Sequence, residues 1–189
     1  MMVKPCAKKK LPVAACCSNQ ICKASVRKNR RPAIIKEIYK MSIYDVLKEK
    51  GIVLPPAPAK GGVYSPAKEF GDKLVYISGC GCNIGDEIGK GKLGKEMTIE
   101  EGQKWARNCM LNVLSVVDAN VGLDNVKSCV KILAFVASDA DFYDQPAVAN
   151  GASNLLMEVF GEVPSRSAVG MVSLPGNMPI EIEAIFELK

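Results

Sequence analysis

Chemistry in this chain must be found among cysteines, carboxylates, tyrosines and basic residues, because its 189 residues include no histidine. Ser-His-Asp and Cys-His catalysis, His-ligated zinc and paired-histidine ribonuclease chemistry are thereby excluded. Proton transfer falls to a carboxylate, Tyr, Lys, Cys, the backbone or water. Of eight cysteines, Cys6, Cys16, Cys17 and Cys22 lie near the N-terminus. Their spacing is not the paired C-x₂-C form of a zinc site, and no metal site is expected. Cys80 and Cys82 form C-x-C, while Cys109 and Cys129 sit in apolar patterns and read as small core residues. Gly89, followed by Gly94-Lys95, comes close to a phosphate-binding loop. Glu96 then stands where a Ser or Thr hydroxyl should meet magnesium, so a nucleotide site is not expected.

Charge divides the chain. Residues 1–36 hold ten basic residues and no acidic one, whereas the remainder holds 15 basic and 20 acidic residues. A +10 tail precedes a −5 body, which the whole-chain value of +5 conceals. Pro5, Pro12 and Pro32 interrupt any amphipathic period in the tail. Residues 1–41 read as a basic, disordered or cleavable extension, with a transit peptide as the sharper alternative. The body, residues 42–189, matches one ordinary domain.

The body's elements follow from local signals. Ser42 can cap a short helix to Lys50, which Gly51 can end. Pro55-Pro56-Ala57-Pro58 forces an extended connector. Val63–Phe70 reads as an edge strand interrupted by Pro66, Gly71-Asp72 as a turn, and Leu74–Ser78 as a buried strand. Gly79–Lys95 reads as a Gly-rich loop. Thr98 and Glu101 form a capping box opening a helix to about Ala119. Trp105, Cys109, Val113 and Val116 share one face of it, which makes Trp105 a core or rim residue. Val126–Ala137 has the pattern of a central strand. Ser138-Asp139-Ala140-Asp141 can cap a helix from about Phe142 to Phe160, with a weak point at Gly151. Arg166–Leu174 and Pro179–Leu188 read as two strands forming a closing hairpin. The order β-β-α-β-α-β-β predicts an α+β sheet with both helices on one face. Its other face needs cover, so a homo-oligomer is expected.

Arg166-Ser167-Ala168-Val169-Gly170, then Leu174-Pro175, then Ile180-Glu181-Ile182-Glu183-Ala184-Ile185, resembles the signature of the Rid family. This is the reactive-intermediate deaminase family, also called the YjgF or L-PSP endoribonuclease family. Gly62–Ala67, Leu74–Gly79 and the segment around Asp141-Phe142 agree in order, so the resemblance covers residues 42–189. The initial helix, Pro55-Pro56-Ala57-Pro58 and Asn150-Gly151-Ala152-Ser153 are similar to a longer, less characterised branch. The resemblance implies a chorismate-mutase-like fold and a homotrimer with clefts between subunits. It also implies hydrolysis of 2-imino acids, such as 2-iminobutanoate and 2-iminopropanoate, to 2-oxo acids and ammonia, with no cofactor.

The motif residues can serve that chemistry. Arg166, the only Arg after Arg107, can hold a substrate carboxylate through two parallel hydrogen bonds. Glu181, fifteen residues on at the retained family spacing, would orient or activate the attacking water or handle its proton. If the two strands pair, both reach one cleft. Ala168 could accept the imine N–H through its backbone carbonyl, and Tyr64 could close the pocket. Glu183 shares the parity of Glu181, but spacing favours Glu181. In the blander alternatives Arg166 pairs with Glu181 or Glu183 across the hairpin, and Tyr64 is interface packing. Better-known members have Cys where this chain has Ala168, and often Gln where it has Cys80.

Two other functions compete with the deaminase: a non-catalytic trimer binding small ligands, and an endoribonuclease inhibiting translation. The acidic body argues against nucleic acid as a partner, and the expected partner is a small carboxylate-bearing imine or 2-oxo acid. No apolar run approaches a membrane span. The expected location is cytoplasmic, or an organelle (mitochondrion-related or plastid) if the N-terminus is a transit peptide.

Overall fold

The computed structural model describes residues 41–189. The expectations for the tail and its four cysteines lie outside the described residues.

Capping decides where the helices begin. Helix α1 (Ile43–Glu49) starts at Ser42, whose side chain accepts the Tyr44 N–H. Helix α2 (Ile99–Val121) opens with the expected reciprocal capping box of Thr98 and Glu101. Helix α3 (Gln145–Phe160) begins three residues later than expected. Pro146 fits the first turn, where its missing N–H is no loss. The expected Ser138–Asp141 cap does not form. Gly161, in the left-handed conformation at φ 72°, ends this helix.

Five strands form one sheet among the described residues: β1 (Ala67–Phe70), β2 (Leu74–Gly81), β3 (Val126–Ala137), β4 (Ser165–Met171) and β5 (Ile180–Leu188). Their spatial order is β1-β2-β5-β3-β4. All neighbours are antiparallel except β3 and β4. The element order matches the expected one, but β4 and β5 form no hairpin, because β3 lies between them. The cause is apolar content. Ile180, Ile182, Ala184 and Phe186 of β5 are buried and need partners on both sides. Strand β4, with Ser165, Ser167 and Gly170, has little to bury and takes the edge.

Two other boundaries shift. Strand β1 is confined to Ala67–Phe70, because Pro66 lacks an N–H and serves only as an acceptor, for Ser78 N at 3.0 Å. Strand β2 continues through the expected loop to Gly81, with a register shift between Ile77 and Cys80.

One core joins α2 and α3 to one sheet face, with Met110, Val113, Leu155 and Val159 among the helical contributors and Ile77, Ile132, Ile182 and Phe186 among those of the sheet. Cys109 and Cys129 belong to it, and Trp105 packs at its margin. Gly151 is a contact point rather than a weakness. A Cβ there would overlap the Gln103 carbonyl, with its carbon only 2.7 Å away. Leu133, Phe135, Glu181, Glu183 and Ile185 occupy the alternate positions of β3 and β5 and are only half-buried.

Candidate functional site

A cleft of about 500 Å³ lies where β2 runs past the end of β1. One wall is the connector that precedes β1, including Pro58, Gly61, Tyr64 and Pro66. The connector is tied down at Ser78, whose hydroxyl donates to Ser65 O at 2.8 Å and whose N–H donates to Pro66 O. The opposite wall holds Pro175 and Met178, from the turn that leads into β5. Val116 reaches in from α2.

Among the described residues, Glu181 is the only charged one lining this cleft. It opposes Gly81 of β2 and Phe135 of β3. Its buried neighbours Ile180 and Ile182 anchor the strand to the core, so alternation aims Glu181 away from the helices. The carboxylate accepts no hydrogen bond and makes no ion pair among the described residues. Burial, and then the Glu183 charge, raise its pKa above the ordinary carboxylate value. A raised pKa makes Glu181 a better proton acceptor once it is ionised. Glu183 differs: its hydrogen bond to Tyr76 is the main reason, ahead of burial, that this phenol's pKa rises to about 12.

The backbone makes room for Glu181. A Cβ at Gly79 would overlap its Oε1 and lie 2.8 Å from its Cδ, so glycine permits the side chain to lie across β2. Beside it, burial first and the Glu181 charge second push the Cys80 thiol up to about 12, which keeps it neutral.

Tyr64 lines the cleft with Glu181, and its hydroxyl accepts the Gly61 N–H at 3.4 Å. Arg166 and Ala168 do not. Both lie on β4, in register with Ile132 and Ala134 of β3. Arg166 turns toward α3, where its Nη1 donates to Asn150 Oδ1 at 2.9 Å and to Ser153 Oγ at 3.0 Å. Within one chain Arg166 and Glu181 therefore sit on opposite sheet faces, with β3 between their strands. The pairing of Arg166 with Glu181 or Glu183 across a hairpin does not occur. Its partners are neutral, and among the described residues it makes no ion pair. Its charge and its remaining donors stay open to an anion.

Asn150 and Ser153, which hold Arg166, are functional candidates that the sequence reading passed over. Their signal was legible: the two polar residues are spaced i and i+3, which places them on one helix face. Met178 and Gly79 carried no comparable signal. The glycine-rich segment folds on itself, since Glu96 Oε2 accepts the Lys92 N–H at 2.8 Å.

The Endoribonuclease L-PSP profile matches residues 55–188. The chain is 39% identical over 155 residues to Protein TCP17 of Trypanosoma cruzi, covering 75% of this chain and 91% of that protein. It is 31% identical over 134 residues to a 2-iminobutanoate/2-iminopropanoate deaminase of Dermatophagoides farinae, covering 71% and 92%. Among solved structures, the protein Atu1372 of unknown function from Agrobacterium tumefaciens superposes with a TM-score of 0.70 at 35% identity, covering 83% of this chain and 99% of that one.

Proposed function

Because the chain belongs to the Endoribonuclease L-PSP family, the Rid or YjgF family that its C-terminal motif resembles, we propose that it hydrolyses 2-imino acids to 2-oxo acids and ammonia. The observation that carries this reading is the unpartnered, half-buried carboxylate of Glu181 in an otherwise uncharged cleft.

An imine carbon is already electrophilic, so the protein has mainly to position water and substrate. Water attacks this carbon as the C=N electron pair moves to nitrogen, and Glu181 takes the proton that water sheds. Glu181 then returns a proton to nitrogen. The hydroxyl proton then passes by way of Glu181 to this nitrogen as the C–N bond breaks, so that ammonia leaves and the C–O bond becomes the carbonyl of the 2-oxo acid.

Glu181 would by itself repel the substrate carboxylate. Arg166 supplies the missing cation from a neighbouring copy. The cleft lies toward the β1–β2 side of the sheet, and Arg166 on the β4 edge, so head-to-tail contacts bring one chain's Arg166 to the next chain's cleft. A rotation that closes after three subunits gives a trimer with shared sites. In that cleft Ala168 offers its carbonyl to the imine N–H, and Tyr64 closes the mouth. Against ribonuclease activity stands the −5 body, which repels a polyanion.

The test is ammonia and 2-oxo acid formation from 2-imino acids generated in situ. Wild-type protein accelerates the reaction, and Glu181→Gln reduces it about 10²- to 10⁴-fold. Absence of acceleration by the assembled protein, together with Arg166-dependent binding of a 2-oxo acid, would establish a ligand-binding protein instead.

A further inference from the structure

We infer that the cleft selects 2-imino acids with apolar side chains longer than those of 2-iminopropanoate and 2-iminobutanoate. This deepens the reading above and rests on it. Two independent features of the cleft carry the argument.

The first is its sparse polar lining, part of which is already engaged within the chain. Ser78 Oγ donates to Ser65 O at 2.8 Å, Tyr64 Oη accepts from Gly61 N, and Cys80 Sγ points its weak donor at Ser78 O, 3.4 Å away. Glu181 is needed for water. A polar substrate side chain would surrender hydrogen bonds to water and find few in return.

The second is the size and nature of the remaining surface. Pro58, Pro66, Val116, Pro175 and Met178 line a half-open cleft of about 500 Å³, which keeps room for more than a three-carbon imine beside a neighbouring copy's Arg166. A methyl substituent leaves most of that wall wet. Met178 is the adaptable part of it. Its thioether lies over Gly81, where a Cβ would overlap Sδ and approach Cε to 2.9 Å, so the absent side chain lets Met178 lie flat against β2. Methionine's unbranched, polarisable chain can then follow apolar substituents of differing shape.

The experiment compares kcat/KM for imines derived from alanine, 2-aminobutyrate, leucine, methionine and serine. Calorimetric affinities of 2-oxo acids, from pyruvate to 4-methyl-2-oxopentanoate, are measured in parallel. Each added buried methylene is expected to raise kcat/KM and affinity by about fourfold, giving about 10- to 60-fold across the apolar series. The serine-derived imine should fall below the apolar imine of matching length. A flat or falling apolar series overturns the inference. Met178→Trp, which fills the wall, should compress the long-to-short ratio by about tenfold, and an unchanged ratio speaks against the assignment. Should Met178→Trp fail to fold, Met178→Ala removes wall contacts and is expected to flatten the series. If no imine is hydrolysed, the proposed function fails, while the 2-oxo acid affinities still decide the side-chain preference.

Discussion

Substituting Gly79 by alanine tests whether Glu181 acts from the place it occupies. Gly79 lies outside the positive-φ glycines, so alanine can adopt its backbone without strain. The added methyl would overlap Glu181 Oε1 and stand 2.8 Å from Cδ. Ordinary carbon–carbon contact is about 3.8 Å, so the carboxylate must retreat by roughly 1 Å. It is the far end of a flexible side chain, and the fold can absorb that movement. Melting should therefore show a stability change within about 1 kcal/mol, including the small gain from a stiffer unfolded chain. Catalysis is less forgiving. A misplacement of about 1 Å can cost about 100-fold in rate, or about 2.7 kcal/mol of barrier. The assay is initial-rate ammonia release from 2-iminobutanoate, with melting curves on the same preparations. A stable Gly79→Ala protein with wild-type kcat/KM would refute the reasoning, because it would separate activity from the position of this carboxylate.

Arg166→Lys keeps the charge but loses the planar fork, so KM for the imine, or Kd for a 2-oxo acid, should rise about 10- to 100-fold by kinetics or calorimetry. Gly151→Ala should destabilise the protein by about 1–3 kcal/mol in denaturant titrations, because its methyl meets the Gln103 backbone. Glu181→Gln should be the more stable protein at neutral pH. The folded-state pKa of Glu181 is raised, so ionisation disfavours the native state as pH climbs above the unfolded value of about 4.5. Melts at pH 4 and pH 7.5 check this: the advantage of the Gln protein should vanish at the lower pH. Cys80 should resist iodoacetamide at pH 7.5 until denaturant is added, since its thiol is buried and neutral. Peptide mapping of the labelled protein reads this out.

Element identity was legible where local chemistry decides it. Thr98 and Glu101 announce the start of α2, and Val126–Ala137 announces a central strand. Pairing was not legible. Two strands separated by Pro175-Gly176-Asn177 look like a hairpin, yet the choice depends on how much apolar surface each can bury. Strand β5 buries four side chains and moves inward, leaving β4 at the edge. The same uncertainty passed into the site. Tyr64 and Glu181 meet in one cleft, although 117 positions separate them, because the connector is pinned to Ser78. Arg166 does not join them within the chain. Gly151 misleads by its type: helix propensity marks a defect, whereas the approach of two helix backbones there requires the absence of a side chain.

The interposition of β3 between Arg166 and Glu181 has a consequence for mixtures of chains. In the proposed ring, each cleft draws its carboxylate and its guanidinium from different copies. A chain lacking Glu181 and a chain lacking Arg166 would each be inactive alone, yet each retains what the other has lost. Unfolded together and reassembled at equal amounts, they would restore about one cleft in four, where a sound Arg166 meets a sound Glu181. Activity would then behave as a property of neighbours, inherited through contact and absent from either parent.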